Sequence, residues 1–431
     1  MHLILNLASL FMDLWRGKAD CANTDSVHDW PWAVLQGDTW TKHGADVAAS
    51  KPYLPGSFDR PPRNVADKIT SGYKSWEWLL YLFGLGPGLL YGVLPFDVWQ
   101  SFCKMVRGIR LIYLKKITPV QVRVTYKLLI EVTKEFEEIY VQRRMDRIHF
   151  VRQPIHVLSH LASETVRVGS LITSSQWTME NSIRSLTREI KSDSHPYANL
   201  SNRCTRHSQI NSLKSMAPSQ LDREHGKEGR VPRGGIDLGD DYALLHPKAE
   251  HMRDLEECEN RAVARYIDGD ENNVKEVEVV QWGRARLPNG QIARSWWKEK
   301  GQFTNIRMAR NVKIQQNTDE IPTFGEVQFY FRWGAEETLA MVSRYSKADE
   351  SLLKDSFGTL ISCQYQGAED IVVYPIKDIE SVVAMVPHSE LSAELLPSWK
   401  ERVFVVEKPG LDLADLGGFF ESDDEPWTAM G

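Results

Sequence analysis

"PVQVRVTYKLLIEVTKEFEEIYVQRRMDRIHF", Pro119 to Phe150, decides the class of the first half of this chain. Thr125, Leu128, Leu129, Val132, Phe136, Ile139 and Tyr140 recur at i, i+3, i+4, i+7 spacing, so one face is apolar and the other charged. That is the pattern of a helix lying on a core. Upstream, "FDVWQSFCKMVRGIRLIYLKKI" (96–117) keeps the helical period, and "WLLYLFGLGPGLLYGVLPF" (78–96) is a charge-free run interrupted by Gly84, Gly86, Pro87 and Gly88. Its length reaches the thickness of a bilayer, so a membrane span is one reading. The breakers split it into short halves and favour a helical hairpin inside a protein core. Residues 1–16 read as an amphipathic helix, with Leu3, Leu7, Leu10, Phe11 and Leu14 in one stripe. They lack the basic region and cleavage site of a signal peptide. The segment from there to residue 63 is rich in Trp, Gly and Pro and reads as irregular loop.

Downstream the pattern changes. Residues 192–274 are polar and linker-like, with one helix expected around 247–267 that turns Met252, Leu255 and Val263 inward. From 275 to 408 short β-rich runs such as "FGEVQFYFRW" (324–333), "TLAMVSRYS" (338–346) and "RVFVVEK" (402–408) alternate with turn residues, which predicts a small β-barrel. The last stretch, 409–431, alternates acidic and bulky apolar residues and reads as a disordered tail. The expected class is α+β: a helical domain over 64–191, then a polar linker, then the barrel.

A net charge of -6 excludes a uniformly basic coat, so local charge is the guide to partners. Five cysteines without a CxxC pair indicate neither a zinc ribbon nor a disulfide framework and point to a reducing, intracellular compartment. Three groups of residues invite a chemical reading. Arg107, Arg110, Lys115, Lys116, Arg143, Arg144, Arg147 and Arg152 outnumber the acids among them and are either a phosphate-facing surface or a solvated helix face. His156, His160 and Glu164 in "IHVLSHLASE" fall at i, i+4, i+8, a spacing that a divalent metal can use and that a structural pair also produces. In "SSQWTMENSIRSLTREI" (174–190) a serine cap would start a helix whose stripe is Met179, Ile183, Leu186 and Ile190. Glu180 borders that stripe, between Trp177 and Arg184. It is either half of an ion pair with Arg184 or a metal-ligating carboxylate. The aromatic set Trp296, Trp297, Phe329, Tyr330 and Trp333 is either barrel core or a docking surface for a chromatin or other peptide.

Several stretches together, "MHLILNLASLFMDLWRG", "PRNVADKITSGYKSWEWLLYLFGLGPGLLYGVLP", "EFEEIYVQRRMDRIHFVRQPIHVLSHLASETVRVGSLITSSQWTMENSIRSL", and then "ARNVKI", "FGEVQFYF" and "VVAMVPH", resemble the C-terminal half of CACTA-type (En/Spm-like) transposases of the fungal type. The resemblance covers most of 1–216 and, more loosely, 275–390. It implies an RNase H-like catalytic core with an Asp, Asp, Glu triad. Such a triad binds two Mg or Mn ions for in-line phosphoryl displacement. The family's last glutamate follows a tryptophan after a helical insertion, which places it at Glu180 after Trp177, although Gln176 stands where the family often has arginine. His156 and His160 match histidines of the insertion. The family's second aspartate belongs to an Asp-x-Met-His pattern, so His2 is expected just after an aspartate lying upstream of Met1. The resemblance therefore implies a nuclear, DNA-binding chain with transposon ends as partner. Self-association is left open, and neither a membrane nor a small-molecule substrate is expected. The resemblance also implies that catalysis by this chain is incomplete, with only the third carboxylate expected within it, and no bound cofactor is expected for this chain.

Overall fold

The computed structural model describes residues 2–58, 60–69, 72–114, 116–172, 183, 186–192, 194–216, 231–269, 277–301, 307–315, 322–334, 337–389 and 401–409, without the side chains of 2, 214 and 268. The chain is α+β, with helices through its first half and antiparallel sheets through its second.

The first helix, α1 (His2–Trp15), runs through the centre of the helical part: Leu7, Leu10, Phe11 and Leu14 are buried as the stripe requires. Phe11 meets the edges of Phe136 and Tyr140 at 6.0 Å between ring centres, and Trp15 Nε1 donates to Tyr140 Oη at 2.9 Å. The region expected to be loop up to 63 contains a helix, α2 (Gly37–Ala49), which buries Trp40, His43, Gly44 and Val47. Its polar and glycine content hides it, because its helical state depends on those four contacts rather than on propensity.

The glycine-broken run 78–96 is core. Helix α3 (Ser75–Leu80) passes into a wide turn (Tyr81–Leu85) and a short helix, α4 (Gly86–Leu89), with every residue from Glu77 to Leu90 buried. Among the described residues no helix is long and apolar enough to cross a membrane. Helix α5 (Phe96–Ile112) follows, then α6 (Pro119–Phe136). The start of α6 is written locally: Thr118 Oγ1 accepts from Gln121 N–H, the Gln121 side chain accepts from Thr118 N–H, and Pro119 occupies the first helical position. The regular helix stops at Phe136. A wide turn over Glu137–Val141 follows, and Gln142 and Arg143 adopt left-handed backbone (φ 54 and 57), which turns the chain into a 3-10 segment, Met145–Phe150.

Helices α7 (Gln153–Leu158) and α8 (Leu161–Val168) then meet at a corner, and an exposed helix, α9 (Pro196–Met216), lies within the expected linker. The rest of that linker is not free chain. Strands β1 (Ile236–Asp237) and β2 (Ala243–Lys248) join the main sheet, and the expected helix is α10 (Glu257–Asp268). In this region Leu255 and Val263 are buried as expected, but Met252 is exposed. It precedes β3 (Arg253–Asp254), which pairs with β4 (Glu278–Val279), and so lies outside the helix and its buried face.

The nine-stranded sheet is built around β8 (Thr323–Trp333), which pairs with β9 (Glu337–Arg344) along its length and with β7 (Asn311–Ile314) at its start. A bulge between Val327 and Phe329 bends β8 towards β5 (Trp282–Arg286). The remaining members are β6 (Ile292–Arg294), paired with β5, β11 (Ile371–Pro375), paired with β9, and β12 (Ile379–Val382), paired with β7. The expected barrel is not closed among these strands. Where β6 would join β7 and β12 there is one backbone hydrogen bond, Arg294 N–H to Ala309 O (2.7 Å). The Gln291 side chain accepts from Val382 N–H (2.9 Å) and donates to Val382 O (3.4 Å) in place of a ladder.

A three-stranded sheet, β10 (Ser362–Gln364), β14 (Arg402–Val406) and β13 (Ala384–Pro387), joins the two halves. Its period of two divides its side chains. Ala384, Val386, Phe404 and Val406 enter the helical core, and Cys363, Met385 and Val405 face a second apolar cluster with Phe324 and Leu353. The glycines that break 78–96 make this docking possible, since a Cβ on Gly88 would lie 2.7 Å from the Phe404 ring and one on Gly84 3.3 Å from Val406.

Candidate functional site

Trp177 and Glu180 lie outside the described residues, as does Lys115. Of the stripe expected to be buried beside Glu180, Ile183 and Leu186 are exposed (50% and 43%), a correction to the sequence reading. Among the described residues no element covers that face. His2 is the first residue of α1, whose following turns are core from Ile4 onward.

His156 and His160 do come together. The sequence predicts one helix carrying both with Glu164, but the helix breaks at Ser159, and His160 caps the next. The two Nε2 atoms are 3.1 Å apart and both rings are exposed. The Glu164 carboxylate turns to Arg167 (2.5 Å), which holds it below the usual carboxylate range. Among the described residues no group of three or more His, Cys, Asp or Glu is gathered to hold a metal.

The basic cluster separates into an inner and an outer set. Arg147 is buried (1%) in a two-point ion pair with Asp25, Nη2 to Oδ1 at 2.6 Å and Nε to Oδ2 at 2.7 Å, and its Nη1 donates to Gln142 Oε1. Arg144 reaches Asp146 (2.7 Å) and Asp25 (3.2 Å), and Arg152 faces Asp13 at 3.8 Å. Arg107 is buried in α5. Arg110 donates to three carbonyls: Nε to Phe83 O (2.8 Å), Nη2 to Gly84 O (3.2 Å) and Nη1 to Thr359 O (2.9 Å). Burial brings its pKa down to about 10. Arg110 is thus a staple between the helical half and the β half. Lys116 and Arg143 are exposed, as are Lys127 and Lys134 on α6. The acids that take up the inner set are distant in sequence except Asp146, so no local pattern announces them.

A second feature lies on the sheet. Trp296 and Trp297 from the short helix α11 (Trp296–Glu299), Phe329 from β8 and Tyr365 after β10 line a cleft of about 370 Å³ whose rim includes Arg253 and Lys300. Trp296 and Tyr365 are each 42% exposed. Arg253 lies over Phe329 (4.8 Å) and Lys300 over Trp296 (4.9 Å), so each cation already rests on an aromatic face. Tyr365 Oη donates to Glu326 Oε2 at 2.5 Å, and burial with that carboxylate pushes the phenol up to about 12. Tyr330 and Trp333 do not reach the cleft: Tyr330 is interior to the sheet and Trp333 packs beside Phe331. Three of the five aromatics singled out in the sequence therefore meet, and Tyr365 is added by the fold. Comparison with protein-family models, with curated proteins and with solved structures finds no match.

Proposed function

We propose that this chain is a CACTA-type transposase-like, DNA-binding protein acting in the nucleus, in which 174–190 is the last helix of an RNase H-like core. One observation supports the reading above the others. Three of the stretches that carry the resemblance contribute described residues to one core, with Trp15, Tyr81 and Tyr140 from separate stretches all buried in it. Glu180 is its candidate catalytic carboxylate. The described carboxylates do not fit a two-metal centre, because those nearest the basic cluster, Asp25 and Asp146, are committed to Arg147 and Arg144. DNA binding is then the activity to test in this chain, and the exposed cations Lys116 and Arg143 are the groups that meet phosphate. Each phosphate that the protein no longer neutralises reduces the salt slope of binding by about 0.9. The double variant Lys116→Ala/Arg143→Ala should bind duplex DNA more weakly and with a flatter salt dependence by fluorescence anisotropy. Affinity equal to the parent's at every salt concentration would defeat the assignment.

The cleft supports a second reading, docking of a partner's peptide segment, because two half-exposed aromatic side chains, Trp296 and Tyr365, line it. In the full chain, Trp296→Ala should then abolish binding on a peptide array while leaving DNA affinity unchanged.

A further inference from the structure

Helix α9 runs for 21 residues, about 31 Å, and carries Arg203, Arg206 and Lys214 but no acid. Every other described α-helix with an arginine or lysine carries an acid too. Glu189, outside the helix, takes up Arg203. Arg206 is exposed and has no carboxylate partner among the described residues. It falls at i, i+4, i+7 with Ile210 and Leu213, so the three share one face. Ile210 and Leu213 are 49% and 58% exposed. Water satisfies the guanidinium there but not its aliphatic neighbours.

The complement to this face is written in the same chain. Residues 410–431 lie outside the described residues, and their sequence contains Asp412, Asp415, Glu421, Asp423, Asp424 and Glu425 but no arginine or lysine. The whole net charge of -6 therefore resides in this segment. Its acids stand beside bulky apolar residues: Asp412 lies between Leu411 and Leu413, and Glu421 follows Phe419 and Phe420. A phosphate would answer Arg206 alone, whereas this segment answers all three side chains of the face. The eleven residues from Pro409 to Phe420 span up to about 36 Å, against a radius of gyration of about 22 Å for a compact chain of this length.

We propose that residues 411–425 of this chain dock on the face of α9 formed by Arg206, Ile210 and Leu213. Phe419 and Phe420 cover the two aliphatic side chains, and Glu421 and Asp423 pair with the guanidinium. The contact lies within one chain and depends neither on DNA nor on the aromatic cleft. The tether holds the segment at about millimolar effective concentration, so a contact too weak to join separate molecules is enough.

The test places a photoreactive p-benzoylphenylalanine at position 420 of the full chain and maps the cross-links by mass spectrometry in dilute solution. The expected product is a cross-link within one chain to residues 203–216. Its yield should fall at 1 M salt, where the screening length shrinks to about 3 Å. Arg206→Glu/Leu213→Asp changes only exposed positions and should lower that yield at least about threefold, with the circular dichroism of the parent retained. Adding Glu421→Lys/Asp423→Lys to Arg206→Glu should restore it. A cross-link to 296–300, a cross-link between two chains, no cross-link, or a yield that Arg206→Glu/Leu213→Asp leaves unchanged would overturn the proposal. So would an Arg206→Glu variant that weakens duplex binding while its cross-link yield stays at the parent level, since α9 would then serve nucleic acid.

Discussion

Arg147 and Asp25 are held together by two short hydrogen bonds, and neither side chain reaches solvent (1% and 0% exposed). They are 122 residues apart. The guanidinium therefore fixes the loop before α2 to the 3-10 segment after α6, and it is not a surface charge. Arg143, four residues earlier, is exposed.

These two arginines should respond oppositely to truncation. Arg147→Ala strands a buried carboxylate and should cost about 3–5 kcal/mol in urea unfolding. Arg143→Ala should stay within about 0.5 kcal/mol of the parent. Equal effects would mean that the ion pair does not hold the segment.

Acid should unfold the protein in two stages, and the sign follows from which form the fold prefers. His43 is buried against Tyr81 Oη at 2.6 Å, and burial lowers its pKa to about 4. The unfolded imidazole binds a proton that the folded one refuses, so stability is full above about pH 6.5 and falls as the pH drops towards 4. Buried His388, lowered to about 3, acts in the same direction. Asp25 is lowered to about 2, chiefly by the Arg147 hydrogen bond, so its contribution is present above about pH 4 and is lost towards pH 2. Urea midpoints at pH 7.5, 5.5 and 4.5 should decline for the parent and decline less for His43→Gln.

Gly88→Ala would place a methyl group 2.7 Å from the Phe404 ring, in packing that has no slack. The expected loss is about 1–3 kcal/mol. Amide exchange should show β14 opening before the helices. Retained protection of β14 in the variant would show that the approach of sheet to helices tolerates a methyl.

Arg110→Met should remove the donor from three carbonyls at the junction of the two halves and cost about 2–4 kcal/mol. Its DNA affinity, measured where the variant is folded, should equal the parent's, because this guanidinium points inward. A weakened affinity with unchanged stability would place Arg110 on the DNA surface instead.

Much of the secondary structure is legible in the sequence because it is a local property. The stripe from Thr125 to Tyr140 buries six of its seven members to 9% exposure or less, the seventh, Ile139, being half-buried. The period of two in Phe324–Trp333 becomes β8. Helix α2 and the helical turn at Trp296 escape notice because their residues favour helix only once they are packed. Within the candidate site, proximity in sequence was enough to bring His156 to His160. It was not enough for the cleft, where Tyr365 arrives from a strand pair remote from Trp296.

The sequence by itself determined that helices precede antiparallel strands, because the 3.6 and 2.0 periods are imposed by the backbone repeat and need no distant partner. It also determined which residues carry charge. Only the tertiary structure decided which of those charges face water: Arg107, Arg110 and Arg147 are drawn inside while Lys116 and Arg143 stay out. It likewise turned a membrane-length apolar run into the floor beneath Phe404. The physical reason is the same in both cases. An ion pair or a packed face depends on what lies opposite, and for Arg147 and Gly88 the opposite groups, Asp25 and Phe404, come from more than a hundred residues away.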